Sequence, residues 1–148
     1  MPDNFAGITR RIDEWKGNRR LPRFADPDIK PVVERMRMVF PAPLPGSVER
    51  LVAIVLPVGQ AFAEGHIHYD FDRVMYFPNP SASGINIGGE MRDGRVVGAR
   101  SHAITRGQML YIGRAEYYEI PVIRDAQDLR ILSLSRGIPG KHDNRNYL

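Results

Sequence analysis

The sequence contains no cysteine. That absence removes disulfides, thiolate nucleophiles and sulfur-based zinc sites together. It also lacks any apolar run of about 18 residues, the length a membrane-spanning helix needs. Its opening, MPDNFAGITRRIDEW, carries no apolar core of signal-peptide type. The expectation is a cytoplasmic protein with no membrane partner. No Lys/Arg run exceeds two residues, although Lys+Arg is 21 against Asp+Glu 17 and the net charge is +4. Bases scattered among acids, with no interleaved aromatic stripe, argue against a nucleic-acid partner. There is no Gly-x-Ser-x-Gly, and the glycines of GINIGG (84–89) do not join a strand to a helix, so a phosphate loop is rejected.

What is present suits one globular domain. The chain has 148 residues and is 43% hydrophobic. Phe5, Ile8, Ile12 and Trp15 fall at spacings of three and four, predicting an amphipathic helix capped by Asp3 or Asn4 and stopped at Gly17-Asn18. So short a helix needs cover, from the rest of the fold or from a second subunit. Pro22, Pro27, Pro31, Pro41, Pro43 and Pro45 then forbid a long helix. Arg35-Met36-Arg37-Met38 alternates like one exposed strand, so the segment reads as an extended arm. From Ser47 onward short strand-like runs follow one another, among them RLVAIVLP, RVMYF, GINIG, MLYIG and LRILSLS. Asp93-Gly94 lies between two such runs and predicts a tight hairpin. The reading is all-β: residues 1–46 form a helix and arm packed on residues 47–148, an antiparallel barrel or sandwich with a polar tail.

The stretch EGHIHYDFDRVMYF (64–77) carries the chemistry. In an extended strand residues two apart face one way, so His66 and His68 aim two imidazoles at one point, as a metal ion requires. The plain alternative is a pair of hydrogen-bonded or solvated histidines. His102 reads as a strand histidine and His142 as a solvated tail residue.

GHIHYDFDRVMYF, followed about forty residues later by RGQMLYIGRAEYYEIPV, resembles the two signature segments of the cupins. The resemblance runs from about Val48 to Ser135. It implies a small antiparallel jelly-roll barrel with a site in its mouth, a homodimer, and a transition metal such as iron, zinc, nickel or manganese. Two of the four ligand positions depart from the family pattern. Aligned on the strand, the ligand Glu is Arg73 here, and the last ligand His is Tyr118. Two arrangements stay open. In one, Asp72 replaces the Glu and Tyr118 supplies an oxygen, giving His66, His68, Asp72 and Tyr118 as ligands. In the other, Arg73 points into the barrel, repels a dication and suits a carboxylate or phosphate. Glu116 and Tyr118 share a side by alternation, with Tyr76 a possible neighbour, and Glu116 is the candidate acid or base. The functional expectations are therefore a metal-dependent enzyme acting on a polar small molecule, a metal-free module binding an anionic one, or a structural subunit.

Overall fold

The computed structural model describes residues 3–16, 24–42, 46–60, 66–67, 71–114 and 116–137. Helix α1 spans Phe5–Trp15. Its first turn is capped by Asn4, whose side-chain oxygen accepts from the Gly7 amide at 3.1 Å. Ile8, Ile12 and Trp15 of the predicted stripe are buried and Phe5 is half-buried. The stop assigned to Gly17-Asn18 lies outside the described residues.

The extended arm is corrected. Residues Lys30–Val39 form a second helix, α2, with Pro31 in its first turn and Phe40-Pro41 after its end. Proline is tolerated in a first helical turn, where its missing N–H has no partner to lose. Val32, Val33 and Met36 bury one face, while Met38 is 83% exposed. The Arg-Met alternation therefore sits on a helix, not a strand.

Among the described residues ten strands follow: β1 (Val48–Leu56), β2 (His66–Ile67), β3 (Phe71–Phe77), β4 (Ser81–Ile87), β5 (Glu90–Arg92), β6 (Arg95–Val97), β7 (Arg100–Ile104), β8 (Gln108–Ile112), β9 (Tyr117–Glu119) and β10 (Leu129–Gly137). One four-stranded sheet runs β1-β10-β3-β8, a second runs β2-β9-β4-β7, and β5-β6 is a separate hairpin. Every pairing among them is antiparallel. Asp93 (φ 50°) and Gly94 (φ 77°) make the hairpin turn with the left-handed backbone that such turns need. Gly84 serves another purpose. It lies at an irregularity in the β4–β7 pairing, and a Cβ there would meet the His102 carbonyl oxygen at 2.2 Å.

The first sheet is buried on both faces, and this fixes everything that follows. Val52, Ile54, Phe71, Met75, Phe77 and Ile131 point to the second sheet and form one core with Ile85, Ile104 and Tyr118. Leu51, Ala53, Val74, Tyr76, Leu132 and Leu134 point the other way and form a second core with α1 and α2. Polar contacts fasten the helices. The Tyr76 hydroxyl donates to Asp3 at 2.7 Å, and Arg130 donates twice to Asp13 at 2.8 and 3.2 Å. The all-β expectation thus becomes a mostly β fold with two helices covering one sheet, an arrangement consistent with a double-stranded β-helix.

Candidate functional site

Strand β3 decides which charged residue faces where. Phe71, Met75 and Phe77 look into the core between the sheets, so Arg73 shares that face. Val74 and Tyr76 look toward the helices, so Asp72 shares theirs. Both charged residues are buried, Asp72 at 5% and Arg73 at 3% exposure.

Arg73 lies between two rings. Its guanidinium carbon is 5.0 Å from the Phe71 ring centre and 5.1 Å from that of Tyr118, which enters from the second sheet on β9. Burial pushes the Tyr118 phenol above its usual range; the charge of Arg73 and a hydrogen bond with it oppose that shift without reversing it. At neutral pH Tyr118 is therefore a neutral hydroxyl, not a phenolate.

The cross-strand register extends this polar end. Arg50 pairs with Ser135, Ser135 with Arg73, and Arg73 with Ile112, one row across the first sheet. Directly paired residues share a face, so Arg50, Ser135 and Arg73 all belong to the intersheet side. The Ser135 hydroxyl lies 3.4 Å from the Arg50 carbonyl oxygen, to which it donates. One step deeper is Ser133, whose buried hydroxyl has no hydrogen-bond partner among the described residues. Ser133 and Ser135 were missed by sequence reasoning, although the alternation in LRILSLS places them on one strand face. Nothing comparable marked Arg50.

The other candidates lie elsewhere. Asp72 accepts from Arg136 at 3.1 and 3.2 Å and from the Tyr111 hydroxyl at 2.8 Å. Phe40 closes that cluster, with its ring 4.2 Å from the Arg136 guanidinium and edge-on to Tyr111. Burial and the hydrogen bond to Asp72 push the Tyr111 phenol up to about 12. Tyr76 is fully buried on the helix side and bonded to Asp3, away from the intersheet face. Glu116 closes its own turn: its amide donates to the Gly113 carbonyl at 3.3 Å, and its carboxylate accepts from the Gly113 amide at 3.4 Å. His66 pairs through its backbone with Tyr118, which sets its strand beside the Arg73 row. The His66 side chain, all of His68 and all of His142 lie outside the described residues. His102 is exposed on β7.

The described residues do not fit a resident dication. At the two departing ligand positions the intersheet face presents a guanidinium and a neutral phenol, and the replacement carboxylate, Asp72, is on the opposite face engaged with Arg136. A fixed positive charge raises the free energy of a nearby metal cation, the more so where water is scarce. What the row presents is a guanidinium, serine hydroxyls and a phenol, with no carboxylate among them.

No family model matches the chain, and no curated protein sequence matches it. Solved structures do. BH2720 of Bacillus halodurans is 12% identical over 64% of this chain and 66% of its own, with a TM-score of 0.47. A cupin protein of Bacteroides fragilis is 16% identical over 71% of this chain and 75% of its own, at a TM-score of 0.39. An RmlC-like cupin family protein of Methanocaldococcus jannaschii, described as a double-stranded β-helix, is 16% identical over 64% and 75%, at 0.44. These likenesses are partial and of low sequence identity.

Proposed function

We propose that this small cupin-like protein binds an anionic small molecule at the polar end of its intersheet face, without a metal. The observation that carries the reading is the Arg73 guanidinium, turned inward against Tyr118 where a metal carboxylate ligand would stand. Its planar donor fork matches a carboxylate or phosphate, and Ser133 and Tyr118 add neutral hydroxyls on the same side. Arg50, two strands away in the same row, lies roughly 10 Å from Arg73 along the sheet at ordinary strand spacing. That separation suits a ligand with two acidic groups.

Isothermal titration with malonate, citrate and inorganic phosphate tests this. Arg73→Met should weaken the best of these ligands by about 10- to 100-fold, the scale of a hydrogen bond to a charged group. Arg73→Lys should retain part of the affinity as a point charge. Stoichiometric uptake of iron, nickel, zinc or manganese by the wild-type protein, read by elemental analysis, would overturn the reading in favour of a metal-dependent enzyme.

A further inference from the structure

We infer that a second site, a cleft between α1 and the turns at the far end of the strands, binds a small carboxylate with an apolar body. The cleft is an open groove of about 710 Å³, within the roughly 300–1,000 Å³ usual for small-molecule pockets. Its wall is largely apolar: Phe5 and Ala6 from α1, Pro78 and Pro80 from the loop after β3. Two arginines border it, Arg10 on α1 and Arg106 in the β7–β8 turn. The cleft's own acids do not neutralise them. Asp13 is held by Arg130 through two hydrogen bonds, and Glu14 by Arg11 at 3.1 Å. Among the described residues neither Arg10 nor Arg106 has a carboxylate partner.

Arg106 is also pre-positioned. Its guanidinium carbon sits 3.9 Å from the Phe5 ring centre. The turn beneath it is fixed, because the Gly107 amide donates to the Phe77 carbonyl at 2.8 Å and Gly107 has little room for a side chain, since a Cβ there would meet the Phe5 ring at 3.3 Å. A side chain already ordered loses less entropy on binding. The chemistry of the ligand follows. A guanidinium pairs with a planar carboxylate, while the apolar wall gains by covering a hydrocarbon or aromatic body. Bare phosphate would desolvate there against carbon. Thr9 and Gln127 supply neutral polar contacts at the edge. The site is separate from the Arg73 row: β3 carries Arg73 near its start and leads into Pro78 at its end, roughly 17 Å away at the usual rise per residue.

The test is a proton–nitrogen NMR titration of the full chain with benzoate, benzamide and acetate. Benzoate should shift the amides of Ala6, Thr9 and Gln127 saturably, with benzamide and acetate at least tenfold weaker. Arg106→Gln and Arg10→Gln should each weaken benzoate by about threefold or more, the scale of a partly exposed charged contact. Among the described residues Arg10 stacks on no ring, so its variant keeps the test decisive if Arg106→Gln loosens the turn. Equal binding of benzoate and benzamide overturns the inference, as does the absence of shifts at tens of millimolar. Shifts confined to residues around Arg73 and Ser135 also overturn it, and then report the intersheet site instead.

Discussion

Replacing Asp72 by asparagine separates a structural carboxylate from a metal ligand. In the fold Asp72 neutralises Arg136, whose side chain is only 12% exposed, and its own side chain is 6% exposed. Asparagine keeps the shape and removes the charge, so Arg136 is left as an uncompensated cation under Phe40. Breaking one member of a buried pair costs about 3–5 kcal/mol. At this chain length each kcal/mol moves Tm by roughly 2–4 °C, so the loss should be about 6–20 °C. Urea denaturation should show the same free-energy loss at an unchanged m-value. Removing the whole cluster should cost far less. Asp72→Leu with Arg136→Met and Tyr111→Phe leaves no orphaned charge or donor, and well-packed apolar replacements of buried pairs are often close to neutral. Two results refute this reasoning. A loss below about 1 kcal/mol for Asp72→Asn means the cluster does not hold the fold, and a triple variant as unstable as the single one means the charge was not the cause.

Other outcomes follow from the same geometry. Gly84→Ala should lower Tm and disturb the β4–β7 amides, since its Cβ would meet the His102 carbonyl oxygen at 2.2 Å; NMR shifts on β4 and β7 read it. Ile12→Ala should cost about 2–5 kcal/mol in chemical denaturation, because Ile12 is fully buried under the first sheet. Acid should loosen α1 before the sheets. Burial raises the Asp3 carboxyl, but its hydrogen bonds to Arg35 and Tyr76 outweigh that and hold it below its ordinary 3.8. Its contribution is present above the unfolded value and is lost as pH falls through the lower folded one, which hydrogen exchange along α1 would register. At alkaline pH the Tyr111 contribution is intact below its ordinary 10.0 and disappears as pH rises toward about 12, visible as an absorbance titration delayed relative to exposed tyrosines.

Much of this protein was legible in its sequence because the relevant signals are local. The α1 stripe, the Asp93-Gly94 turn and the short runs that became β1, β3, β8 and β10 depend on periodicity and turn chemistry within a few residues. α2 was misread because Arg35-Met36-Arg37-Met38 is too short to separate a period of two from a helical one. Its helical face, Val32, Val33 and Met36, is set by what packs on it. The site depended still more on tertiary structure. Every residue of β3 is buried, so the strand carries no inside–outside alternation to read, and Asp72 and Arg73 are adjacent letters with equal claims. Pairing with β10 and β8 turns Arg73 toward Tyr118, and the helices α1 and α2 claim the face that Asp72 and Tyr76 occupy. Sequence alone determined that a strand with two adjacent charges would stand there. Which charge met the second sheet was decided only by the layers on either side, because a strand's two faces become different only when something different packs against each.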